Sequence, residues 1–144
     1  MERRRVIHRR GAEAQRAAEE DLNVLSERVI GAAIEEHRHL GPGLLESIYE
    51  ECLARELELR GLTHQRQVPL VGSYKGILLE GTCRIVLIVA GRLLVELKAV
   101  DGLHDVHTAQ MLTYLRLSQH RLGLLINFNV PALWKGIRRI ANQL

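Results

Sequence analysis

The sequence predicts an α/β domain built on a mixed central sheet, and three patterns carry that prediction. Leu22, Leu25, Val29 and Ala32/Ala33 recur at three- and four-residue steps, the mark of a helix with one buried face. The stretch RIVLIVAGRLLVELKAV, Arg84 to Val100, reads as two apolar strands joined near Ala90-Gly91, an antiparallel hairpin. A helical pattern from about Asp105 to Ser118 then separates that hairpin from a further apolar run, Leu122 to Phe128, which reads as a buried strand.

Taken in order, helical character runs from about Gly11 to His39 and stops at Gly41-Pro42-Gly43. A second helix follows, with Leu45, Ile48, Tyr49, Cys52 and Leu53 expected inward and Gly61 as its C-terminal cap. A strand is expected around His64–Val71, where Pro69 marks an edge or a strand end because proline donates no ladder hydrogen bond. Tyr74-Lys75-Gly76 begins a turn or short strand. After the hairpin, the third helix and the Leu122–Phe128 strand, Pro131 is expected to open a last helix reaching Asn142. This gives a single domain over residues 21–144, preceded by a basic arm and helix lead-in over residues 1–20.

At 144 residues the chain fits one domain. Hydrophobic residues make up 47% and aromatics only 3%, so Leu, Ile, Val and Ala must fill the core. The formal charge of +3 is unevenly placed. Arg3, Arg4, Arg5, Arg9 and Arg10 against Glu2 give the first ten residues +4, which leaves the rest at −1. Such an arm can touch phosphate, but a short charged terminus is more simply a solvated, mobile one. Cys52 and Cys83 lack CxxC spacing and sit in apolar surroundings, as reduced core residues of a cytoplasmic protein would. No apolar run approaches the length of a membrane span, and the Arg-rich N-terminus lacks the apolar stretch of a signal peptide.

The chemistry is concentrated in the hairpin. Glu96 and Lys98 share one face of an otherwise apolar strand, where charge is rarely buried unless paired or put to use. An ion pair at a solvent edge would account for them equally, and E-x-K alone is a common string. Two other features join it. Glu46 stands in the first turn of the second helix near Tyr49, where a carboxylate also suits the helix dipole. His107, Gln110 and Tyr114 form a polar stripe on the third helix.

GLLESIY, with Gly43, Glu46 and Tyr49 at the named positions, resembles the signature of the GxxExxY proteins. VELKAV, AQMLTYL and LGLLINFNVP resemble that family in the same order, so the likeness spans roughly Leu22 to Ile140. Those proteins are assigned to the PD-(D/E)XK nucleases. The resemblance therefore implies a restriction-endonuclease-like αβββαβ core with extra N- and C-terminal helices. It also implies phosphodiester hydrolysis of DNA or RNA with Mg²⁺ or Mn²⁺. Carried over by position, Glu96 is a metal ligand together with the Leu97 carbonyl, and Lys98 is the catalytic cation. Glu46 is an accessory acid and metal ligand, while Gln110 and Tyr114 position the phosphate or the site. Nucleases of this fold that cut both strands often work as homodimers.

The family pattern before E-x-K reads like Y-R-x-D, with the Asp as principal metal ligand. Here the segment is Cys83-Arg84-Ile85-Val86, so Val86 stands at that position and Cys83 at the usual aromatic. An isopropyl group cannot ligate Mg²⁺, so the metal is expected to bind weakly or not at all. Glu80 and Asp101 are poorly placed along the chain to substitute, whereas Glu46 already belongs to the constellation. Two functions remain open: a weakened metal-dependent nuclease, or an inactive nuclease-derived module binding nucleic acid or protein. His37/His39 and His104/His107 lack the further ligands of a zinc site, Ser47 and Ser118 lack a triad context, and Trp134 is expected to be a packing anchor.

Overall fold

The computed structural model describes residues 2–81 and 83–143. Helix α1 (Glu2–Leu40) carries the backbone of the basic arm in the same helix as the predicted amphipathic segment. The side chains of the arm arginines lie outside the described residues. Leu22, Leu25, Val29, Ala32 and Ala33 are buried, as their spacing predicts. Gly41, at φ +69°, ends the helix and donates its N–H to the His37 carbonyl at 2.8 Å.

Helix α2 (Glu46–Leu59) buries Tyr49, Glu50, Leu53, Ala54 and Leu57. Leu45 and Ile48, expected inward, are exposed, and Cys52 is half-buried. The helix is turned so that the carboxylate of Glu50 faces in beside Tyr49, because cationic and amide partners wait for it there. At the other end Gly61 takes φ +71°. Its N–H reaches the Glu58 carbonyl and the Leu62 N–H reaches that of Leu57, a Schellman closure that buries Leu62.

Strands β1 (His64–Pro69), β4 (Arg84–Val89), β5 (Leu93–Lys98), β6 (Leu122–Asn127) and β7 (Ile137–Ala141) form one sheet in the order β1-β4-β5-β6-β7. Between β1 and β4, β2 (Gly72–Tyr74) and β3 (Ile77–Leu79) make a separate two-stranded ribbon. β5 and β6 are parallel and are joined through helix α3 (Asp105–Ser118); the other pairs are antiparallel. Pro69 ends β1, an edge strand, as proline should. Helices α1 and α2 cover one face of the sheet, packing on Leu87, Val89, Leu93, Val95, Leu97 and Leu124 among others. Met111, Tyr114 and Leu115 of α3 cover the other, against Ile85, Ile88, Leu94 and Leu125. This double cover is why the central strands are apolar at both phases.

The expected C-terminal helix is absent. Leu133–Gly136 is one 3-10 turn, and Ile137–Ala141 is strand β7, paired with β6. The i, i+4, i+7 spacing of Leu133, Ile137 and Ile140 suits a helix, but β6 presents a free edge whose amides and carbonyls need partners. Gly136 makes the approach possible, since a Cβ there would stand 2.1 Å from the Asn127 carbonyl oxygen. β7 also sends Arg138 to the Leu103 carbonyl and the Thr108 hydroxyl, fixing the start of α3. Among the described residues, no helix is long and apolar enough to cross a membrane.

Candidate active site

The β4–β5 ladder ends at Leu87↔Val95, although both strands continue. Carrying the register one step further sets Val86 opposite Glu96. There the Glu96 side chain enters the gap, and its Oε1 accepts the Val86 N–H at 3.2 Å. On the outer side of β4, Gln67 takes φ +51° next to the same position. The sheet therefore opens around Val86, and a carboxylate replaces the backbone ladder. Val86 itself packs in the core beneath α1 and α2.

Glu96 is 5% exposed. Burial pushes its carboxyl up to about 7, against the Val86 N–H and Lys98, which pull it down; Glu46 and Glu50 add to the rise. Glu46, on the first turn of α2, is raised too, by partial burial and then by Glu50, while Lys98 opposes the rise. Tyr114 of α3 is buried. Its hydroxyl is pushed up to about 12 by burial, by Cys83 and by Glu96, while Gln110 opposes the rise. The gap is thus reached from both layers, with Glu46 and Glu50 from α2, Gln110 and Tyr114 from α3, and Glu96 and Lys98 from the strand between them. Glu46, Glu96, Lys98 and Tyr114 lie close enough to act on one another electrostatically, and Gln110 acts on Tyr114.

Two residues here escaped the sequence. Glu50 is buried, with the Arg66 Nε and Nη2 on its Oε2 at 3.0 and 2.8 Å and the Gln67 amide on its Oε1 at 2.5 Å. The i, i+4 spacing of Glu46 and Glu50 was the available signal. Asn127 is in register with Lys98 and 1% exposed. Its Oδ1 accepts the Val100 N–H and its Nδ2 donates to the Val100 carbonyl, which clamps the chain just beyond Lys98. His107, by contrast, accepts the His104 N–H on Nδ1 at 2.9 Å and so serves to start α3. His37 binds the Val130 carbonyl and His39 the Glu35 carbonyl, on different sides of α1. Trp134 corrects the expectation of a packing anchor, because 70% of it is exposed.

Among the described residues, no group of three or more His, Cys, Asp or Glu side chains is arranged to hold a metal ion. The site offers a hard cation two carboxylates, Glu96 through Oε2 and Glu46, plus one carbonyl. The Lys98 carbonyl is taken by the Phe128 N–H at 2.9 Å. Neighbouring carbonyls on a strand point to opposite sides, so that of Leu97 is aimed toward β4, beyond the last ladder pair. Mg²⁺ commonly takes one or two carboxylates and completes its octahedron with water and substrate phosphate. The donor chemistry fits such an ion as a reduced set, because Val86 supplies no oxygen from its side chain.

A family model described as PD-(D/E)XK nuclease superfamily matches residues 23–140. No curated protein and no solved structure matches the chain. The matched span contains α2, the five-stranded sheet as far as Ile140 in β7, α3 and the gap between β4 and β5, and by it this chain belongs to the PD-(D/E)XK nuclease superfamily.

Proposed function

We propose that the chain is a nucleic-acid-directed protein resembling the GxxExxY nucleases, with phosphodiester hydrolysis weakened at Val86. The observation that supports this is the Glu96–Lys98 pair at the mouth of the opened sheet, with acids converging on it from α2 and a Tyr–Gln pair from α3. A divalent cation, Mg²⁺ or Mn²⁺, held by Glu96, Glu46 and the Leu97 carbonyl would supply polarisation of a phosphoryl oxygen and a more acidic water. The chain's own residues do the rest. Lys98 places a positive charge where negative charge grows on the phosphate, an interaction most valuable in a partly dehydrated site. Gln110, one helical turn before Tyr114 on α3, offers an amide to a phosphate oxygen. Asn127 keeps Lys98 at the strand end by fixing Val100.

The bond from the Val86 N–H to Glu96 favours a second reading. It satisfies one oxygen of the carboxylate without any cation, as a module kept only for binding would require. Cleavage of a panel of single- and double-stranded DNA and RNA with Mg²⁺ and Mn²⁺ separates the two. The expected result is slow cleavage by the native chain, loss with Glu96→Ala and acceleration with Val86→Asp. Silence from the native chain together with rescue by Val86→Asp identifies a disabled nuclease. Silence from both leaves the binding module.

A further inference from the structure

Trp134 is the only tryptophan of the chain and stands 70% exposed on the 3-10 turn Leu133–Gly136. The turn is anchored on both sides of the indole. Leu133 is buried in the core, and Gly136 fits against the Asn127 carbonyl where no side chain could go. A large aromatic ring is thus held into solvent by a rigid support. Beside it runs an open groove of about 400 Å³ between the end of α1 and the turn. Ile34, Pro42, Pro131 and Trp134 supply its apolar walls and Arg38 stands on its rim; none of its lining residues is an acid. Lys135 holds its Nζ 5.4 Å from the centroid of the indole. Arg38 is exposed, and among the described residues it makes one long contact, with Glu35 at 3.7 Å. An exposed pair of that kind is worth little and gives way readily.

The groove lies at the same end of the sheet as the opened strand gap. Gly41, in its wall, accepts the Tyr49 hydroxyl at 2.6 Å, and Tyr49 stacks on Phe128 at 4.5 Å between centroids. Phe128 in turn donates its N–H to the Lys98 carbonyl. Pro42, also in the wall, precedes Glu46 by four residues.

We infer that this groove is a base-stacking subsite, in which an unpaired nucleobase of a single-stranded nucleic acid lies on Trp134 while Arg38 and Lys135 meet the flanking phosphates. The inference rests on the nucleic-acid function proposed above and adds the strandedness of the substrate. Every base has a π-face, so such a platform is tolerant of sequence. Bases in a duplex are already stacked on each other and cannot enter the groove. Apolar walls with Arg38 and Lys135 beside them suit a base and its phosphates better than an apolar protein surface.

Because Trp134 is the single tryptophan, its fluorescence reports on the site directly. The native chain would be titrated with a labelled single-stranded oligothymidylate, its RNA counterpart, an abasic strand with the same phosphates, and a duplex. Label anisotropy follows binding while indole emission follows stacking. Single strands are expected to quench Trp134, and the abasic strand to bind without quenching. Trp134→Ala should weaken single-strand binding by roughly 5- to 150-fold, the factor equivalent to about 1–3 kcal/mol per stacked base. Abasic binding should be unchanged in that variant, and Trp134→Phe, which keeps an aromatic face, should recover much of the single-strand binding, which separates stacking from misfolding. Binding seen by anisotropy without quenching, and unaltered in Trp134→Ala, overturns the subsite, leaves the nucleic-acid function standing and assigns the exposed indole to a protein partner. Absence of binding to every nucleic acid overturns both.

Discussion

Glu36 lies on the inner face of α1, 5% exposed, and among the described residues neither of its carboxylate oxygens has a hydrogen-bond partner. Burial, and then Glu56 across the helix pair, pushes its carboxyl up from the ordinary 4.5 to about 8. The group therefore folds with its proton on. In the unfolded chain it loses that proton near 4.5, so between 4.5 and 8 the native state holds more protons and stability falls as pH rises. The full contribution is present below 4.5 and is lost by about pH 8. At pH 7 the gap is 2.5 units, and at about 1.4 kcal/mol per unit it costs at most about 3 kcal/mol. Glu36→Gln keeps the shape and removes the ionisation. Urea unfolding at pH 5 and pH 8 measures the effect, and subtracting the variant from the native chain cancels every other titrating group, Glu96 included. The two proteins should differ by no more than about 1 kcal/mol at pH 5, with Glu36→Gln more stable by about 4 kcal/mol at pH 8. An identical dependence on pH in both would refute the assignment of a buried, protonated Glu36.

Lys98→Ala removes the cation that meets the developing phosphate charge, and metal-dependent cleavage should fall by about 10²- to 10³-fold; an unchanged rate disproves its role. Val86→Asp adds a carboxylate against Glu96, which should cost about 3 kcal/mol or more without a cation. Mg²⁺ should then raise the melting temperature of Val86→Asp more than that of the native chain, and an equal response would show that position 86 does not face a cation. Gly136→Ala drives a Cβ into the Asn127 carbonyl, so it should destabilise the fold by about 1–3 kcal/mol in urea unfolding. A neutral result there would mean that β7 is free to shift away from β6.

The site was partly legible along the chain because its residues obey local periodicities. Glu96 and Lys98 alternate on a strand, Gln110 and Tyr114 recur on a helix, and Glu46 opens α2; each needs only its own element to be recognised. Glu50 and Asn127 were not legible, because their meaning comes from partners far along the chain. Arg66 and Gln67 bring Glu50 inward, and Val100 gives Asn127 its task. The same limit explains the missing helix after Pro131. Its apolar spacing is helical, but the outcome depended on the free edge of β6, which no local pattern records.

The sequence by itself determined the alternation of helices and strands as far as β6, the hairpin at Ala90-Gly91, the buried stripe of α1 and the superfamily, since these follow from side-chain period, turn chemistry and motif order. Only the tertiary structure decided that the β4–β5 ladder ends at Leu87↔Val95 and that Glu96 closes the gap on the Val86 amide. It alone decided that Glu36 lies buried without a partner, and that the one tryptophan faces outward. Burial and hydrogen bonding are properties of the assembled neighbours, and a carboxylate or an indole has the same local spelling whether it is covered or bare.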